Sequence, residues 1–170
     1  MAPAITSSKT GTIAISTASY FPAPSAVATG TITVAAGQTA ITGSGTNFSK
    51  FNVGDWIMDI GNYECHKITN IPIIQTSETG TTKPVKSDLY CTVDAPFQNA
   101  ITAETLVIVP ASKIVTANIY VASGGKINNV AMPTGWMLPF GRPGVDQALP
   151  IDPMFIDGSG GTVTIMFSYQ

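Results

Sequence analysis

Charge is the scarcest ingredient of this 170-residue chain. Asp, Glu, Lys and Arg together make up 11% of it, less than half of the roughly 25% usual in soluble globular proteins. Arginine occurs once, as Arg142, and the lysines stand singly apart from Lys83 and Lys86. With a net charge of −2 and a pI near 5.1, the chain has no basic track, which argues against nucleic acid as a partner. Histidine also occurs once, as His66, and cysteine twice, as Cys65 and Cys91. Two cysteines cannot build a disulfide framework of the secreted kind. They are read as small buried thiols, with a bridge open only if they lie on facing strands.

Long apolar runs are missing too. No window approaches the roughly 18 uninterrupted apolar residues of a membrane span, so no membrane partner is expected. The N-terminus lacks a charged stretch followed by an apolar run of a secretory kind, so folding in a cytoplasm is expected. No stretch of a dozen residues shows apolar positions at helical spacing with a polar opposite face.

What the chain has is Thr, Ile and Val throughout, punctuated at short intervals by Pro and Gly, the pattern of many short strands joined by turns. A surface of Thr, Ser, Asn and Gly tolerates close packing against another protein, because few charges must lose their water on contact. Residues 1–26 read as an extended N-terminal arm, with Pro22 and Pro24 limiting regular pairing. Its Gly11–Ser16 segment alternates like a strand and is suited to join a sheet edge, in this subunit or a neighbour.

From Thr29 the alternation sharpens into a hairpin, Gly30 to Ala36 and Thr39 to Thr42, turning at Gly37-Gln38. Gly54-Asp55 supplies the turn into a strand from Trp56, and residues 63–71 form another. Residues 75–87 hold almost nothing to bury and are expected as an exposed loop or hairpin tip. Leu106 to Val109 closes this module and Pro110 stops it. Further strands are expected at 113–121, 127–132 and 162–167. Between the last two lies Pro133 to Gly144, whose Pro and Gly content is read as incompatible with a regular strand. Leaving its Trp136, Met137, Leu138 and Phe140 in water would forfeit about 1.5–3 kcal/mol for each large side chain.

The run Gly30-Thr-Ile-Thr-Val34, Gly37 to Phe48, Phe51-Asn-Val-Gly-Asp-Trp-Ile57, Ile68-Thr-Asn-Ile71 and Ala95-Pro-Phe97 resembles a module of tailed-bacteriophage virion proteins. In it a GTxxV…G…VTGxGTxF hairpin leads into a GDxI strand, an I…I strand and a late pF element. The resemblance spans roughly residues 29–109 and rests on turn and core residues. It implies a small β-barrel in a head decoration, tail, fibre, neck or collar protein, located in the virion and assembled in the bacterial host cytoplasm.

Catalysis finds little footing. Glu64, Cys65 and His66 alternate across a strand and cannot all converge on one centre, and no spacing signal supplies further zinc ligands. Gly43-Ser44-Gly45 reads as a turn, not a nucleophile elbow. The pairs Asp55 with Asp59 and Asp152 with Asp157 carry no cleft signature, and Gly158 to Gly161 has no following Lys or helix to hold phosphate.

The expected fold is therefore all-β, a small SH3-like or Greek-key barrel or sandwich at 27–111, with the arm at 1–26 and a C-terminal β extension at 112–170. The expected function is non-enzymatic and cofactor-free. The chain would be a head decoration or cement protein that binds the major capsid protein or other virion subunits as a homo-oligomer, a trimer foremost. Subunit contacts are expected at Tyr20, Phe21, Trp136, Met137, Leu138 and Phe140. The alternatives are a tail, neck or fibre component and, from another class, a carbohydrate-binding module using Tyr63, Tyr90 or Tyr120.

Overall fold

Strand pairing in this chain joins its two ends. The structure is a computed structural model that describes residues 9–59, 61–78, 81–111, 114–140 and 152–169. The segment expected as an extended arm supplies two strands, β1 (Lys9–Ile15) and β2 (Ala18–Phe21). Then follow β3 (Thr31–Val34), β4 (Ala40–Ser44), a 3-10 turn at Phe48–Lys50, β5 (Trp56–Asp59) and β6 (Glu64–Asn70). Next are β7 (Ile73–Glu78), β8 (Thr81–Lys86), β9 (Tyr90–Val93), β10 (Ile101–Thr105) and β11 (Val107–Val109). The last third adds β12 (Ile114–Val121), β13 (Lys126–Ile127), β14 (Val130–Ala131), β15 (Met137–Phe140), β16 (Met154–Asp157) and β17 (Val163–Tyr169). The fold is all-β, as the composition implied.

Two compact units emerge, one from Met1–Ala23 with Ala111–Gln170, the other from Pro24–Pro110. In the first, β1-β17-β12-β15 form a front sheet and β14-β13-β16-β2 a back sheet, both antiparallel. One apolar cluster draws on both sheets: Ile15, Ala117, Ile119, Val163 and Ile165 from the front, Phe21, Ile127, Met154 and Ile156 from the back. The result is a two-layer sandwich whose strand order is that of an eight-stranded jelly roll. Pro24–Pro110 is inserted between its second and third strands.

Two local details depart from the sequence reading and a third agrees with it. Met137–Phe140 is a strand despite Pro139, because β15 is the sheet edge, where a missing N–H costs no ladder bond. Residues 127–132 are not one strand. Asn128 and Asn129 take positive φ, 47° and 63°, and turn the chain between β13 and β14 as a type I′ hairpin requires. The Gly11–Ser16 segment does join a sheet edge, within its own subunit, with β1 paired to β17 from Lys9↔Tyr169 to Ile15↔Val163.

The inserted unit is one seven-stranded sheet, β10-β3-β4-β9-β6-β5-β11, with β7-β8 as a separate hairpin. Only Leu106 separates β10 from β11, so a single bent strand serves both edges and the sheet curls on itself. Its interior holds Ile32, Val34, Ile41, Phe48, Ile57, Ile68, Cys91, Phe97, Ile101, Leu106 and Ile108.

The residues behind the phage-module resemblance form one knot in this unit. Gly30, at φ +84°, leaves room where a Cβ would stand 2.4 Å from the Gly45 carbonyl carbon and 2.5 Å from Thr46 N. Asn47 accepts from Thr29 N (3.3 Å) and donates to Val27 O (2.6 Å), Thr46 donates to Asp88 O, and Phe48 is fully buried. Each conserves a backbone path, and none presents a reactive group.

Candidate interaction surface

The front sheet of the sandwich has little charge to show. In β1, β12, β15 and β17 the one charged residue is Lys9, at the start of β1. Period-two alternation sends Ile15, Ala117, Ile119, Val163 and Ile165 into the core, so their neighbours face outward. Register aligns these neighbours in rows: Ala14–Thr164–Tyr120–Met137 and Thr12–Met166–Asn118–Pro139. Met137 is 57% exposed, Met166 40% and Tyr120 38%. The solvated face of an antiparallel sheet normally carries polar and charged side chains. Here it carries thioethers, a tyrosine, a proline, an asparagine and threonines, the composition found at the desolvated centre of protein interfaces.

The expected contact residues divide. Tyr20 and Phe21, in β2, are buried inside their own subunit, where Phe21 packs on Phe167 (5.3 Å between ring centres) and Tyr20 meets Phe155 edge-on at 5.3 Å. They are therefore withdrawn from any partner, because β2 is a strand of the sandwich and not part of an arm. Leu138 packs on the sandwich core. Trp136 is 53% exposed beside Met137, and these two remain presented to solvent. Phe140 pairs through its backbone with Ala117, while its side chain lies outside the described residues. Met166, Asn118, Ala14 and Thr12 were missed; the signal was there, since residues 114–121 and 163–169 contain no charged residue at any position.

The ionisable groups gather elsewhere, in the inserted unit. His66 Nε2 lies 3.3 Å from Glu64 Oε2 and its Nδ1 3.8 Å from Asp94 Oδ1, while its ring meets Phe97 at 4.2 Å. Burial alone would raise the Glu64 carboxyl, but hydrogen bonds from Gln98 N–H, the Asn99 amide and His66 hold it below the usual range. With its lone pairs so occupied, Glu64 ties the 94–99 loop to β6. Glu104 behaves oppositely: burial first, then the Asp59 charge and the hydrogen bond to Asp59, push its carboxyl up against the lowering effect of Gly61 N–H. Asp59 itself is buried and accepts from Gly61 N (2.9 Å), Asn62 N (3.1 Å) and Asn62 Nδ2 (2.8 Å). Neither cysteine is in a disulfide. Among the described residues no three His, Cys, Asp or Glu side chains gather as a metal site would require.

Of the tyrosines considered for sugar stacking, Tyr120 alone lies on the uncharged face; Tyr63 and Tyr90 belong to the inserted unit. No known protein family, curated protein or solved structure matches this chain.

Proposed function

We propose that this chain is a structural protein of a tailed-bacteriophage virion, a head decoration or cement subunit that assembles with copies of itself and docks on the capsid lattice through the outer face of its front sheet. The observation that carries this reading is the uncharged face with Met137, Met166 and Tyr120 exposed on a rigid four-stranded sheet. Covering it strands no charge away from water, so the desolvation that opposes most contacts is small. The virion assignment draws on the module-like knot at residues 29–109 and on a sandwich order that viral capsid domains also use, an analogy of scaffold. In this reading the protein is not an enzyme and needs no cofactor; its partners are the major capsid protein or other virion subunits.

The test is incorporation. Wild-type chain added to particles that lack it should be retained in roughly hundreds of copies, as a lattice with many equivalent positions requires. A variant carrying Met137→Lys with Tyr120→Lys should be lost while keeping its circular dichroism. Equal retention of both would defeat the proposal, and a copy number set by sixfold or twelvefold symmetry would move the protein to the tail or neck.

A second reading has its own observation. Tyr120 and Trp136 are exposed with Asn118 and uncharged hydroxyls nearby, and jelly rolls also serve as lectins. A glycan array decides: saturable binding of a neutral sugar, lost on Tyr120→Ala, favours it, and a blank array removes it.

A further inference from the structure

Among the described strands, sheet edges are guarded, with one exception. A strand edge left bare is a template for another strand, and natural proteins blunt edges with proline, charge, bulges or brevity. β15 carries Pro139 and spans four residues, β14 spans two, and β2 spans four and runs straight into Pro22. The β7-β8 hairpin carries Lys83, Pro84 and Lys86, and β10 and β11 are halves of one strand. β1 has only Lys9, at its first position, and none of the other devices. It runs seven residues in unbroken register with β17, contains no proline, and no described strand pairs with its other side.

The bareness shows in the side chains. Ile13 shares a row with Ile165 and Ile119, which are both fully buried, yet Ile13 is 40% exposed. It sits on the core face of the last strand, where the sandwich is left uncovered at its side.

We propose that β1 pairs antiparallel with β1 of a second copy about a two-fold axis through Thr12, merging two front sheets into one of eight strands. The register selects this occupant. Centred on Thr12, all seven residues pair: Lys9 with Ile15, Thr10 with Ala14, Gly11 with Ile13 and Thr12 with itself. Every pair joins residues of like parity, so core-facing positions meet core-facing ones and the outward rows continue unbroken, as strand register demands. Thr–Thr pairing at the axis is a favourable cross-strand contact. Ile13 comes to lie opposite the partner's Gly11, a position without a Cβ because Phe167 fills that space; a Cβ there would stand 2.5 Å from its ring. Charge sets the direction: antiparallel pairing puts the two Lys9 positions about 20 Å apart, at the usual rise of roughly 3.4 Å per residue, whereas parallel pairing would set them side by side. The pair does not depend on the virion assignment. It would replace the expected trimer with a closed twofold pair.

The experiment is light scattering after size exclusion on the full chain, with two variants. Wild type should run at twice its 17.7 kDa mass. Thr12→Lys with Ala14→Lys places lysines on exposed edge positions and should weaken the dimer by about tenfold or more with unchanged circular dichroism. Met137→Lys, on the opposite edge of the same sheet, should leave it dimeric. Thr12→Cys should form a disulfide-linked or reagent-bridged dimer that wild type, with Cys65 as its half-exposed thiol, does not. Four results would overturn the proposal: a monomeric wild type; a trimer; a dimer that survives the double lysine variant; or one lost with Met137→Lys. The last would assign self-association to the sheet face, while leaving particle docking to be judged by its own test.

Discussion

Replacing Glu104 by glutamine should stabilise the inserted unit at neutral pH and do nothing at acid pH. The β10 strand carries a register shift between Ile101 and Glu104, with Ala103 at φ 52°, and such a bulge redirects the side chain that follows it. Glu104 is thereby brought beside Asp59: a Cβ on Gly61 would stand 3.3 Å from one carboxylate and 3.4 Å from the other. Asp59 already has three donors and Glu104 lies beside it, so at pH 7 the two repel.

Because the folded state holds the Glu104 proton more tightly than the unfolded chain does, its stabilising effect is complete below the ordinary value of 4.5. It is lost as pH rises through the elevated folded value. Two like charges about 4 Å apart repel by roughly 1 kcal/mol in water and 4 kcal/mol at an effective dielectric of 20. Glu104 is only half-buried, so the lower figure applies. Glu104→Gln, which donates to Asp59 without a bound proton, should therefore add about 1 kcal/mol at pH 7, raising the midpoint by about 4–8 °C for a unit of this size.

The assay is urea unfolding followed by tryptophan fluorescence. Trp56 and Trp136 are the two tryptophans, one in each unit, so a Trp136→Phe background isolates the inserted unit. Loss of stability at pH 7, or an equal gain at pH 4 and pH 7, would refute the reasoning, since either outcome means the two carboxyls do not meet.

Gly30→Ala should unfold the inserted unit or cost it at least about 3 kcal/mol, because the added Cβ meets backbone on three sides at a positive φ; chemical denaturation against wild type reads the loss. Asn47→Ala removes a buried side chain's bonds to Thr29 N and Val27 O and should cost about 1–3 kcal/mol by the same measurement. Burial pushes the Cys91 thiol up to about 12, so an aromatic disulfide reagent at pH 8 should titrate Cys65 quickly and Cys91 only on unfolding; prompt reaction of both would contradict the core assignment. Residues 24–110 expressed alone should fold with dispersed amide resonances, since that unit encloses its own apolar cluster, and a collapsed spectrum would show that it depends on the sandwich.

How much of this was legible in the residues follows from the range of each interaction. The hairpin at Thr31–Val34 and Ala40–Ser44, the turn at Gly54-Asp55, the exposed hairpin near residue 80 and the stop at Pro110 are local events, written in adjacent residues. The pairing of Lys9 with Tyr169 is not: alternation in Gly11–Ser16 marks a strand but carries no address for its partner at the far end of the chain. Reading residues 1–26 as an arm followed from that gap, and with it the assignment of Tyr20 and Phe21 to an interface. The two prolines after Phe21 mark where the chain leaves the sandwich. Asn128-Asn129 was a readable signal that went unread, since paired asparagines are a favoured type I′ turn. The candidate surface lay in between: Trp136 and Met137 stood out by size, but the face that gives them company is assembled from β1, β12 and β17, whose contributions are visible only once the rows are aligned.

The adjacency of β1 and β17 also has a mechanical side. Because Lys9 is paired with Tyr169, tension applied through the two ends of the chain would load the hydrogen bonds between these strands one after another, like a zip opened from its pull, instead of all together in shear. A single molecule stretched by its ends should yield at low force with β1 peeling first. Any load carried in an assembly would therefore have to enter elsewhere than through the Lys9 and Tyr169 ends of these two strands.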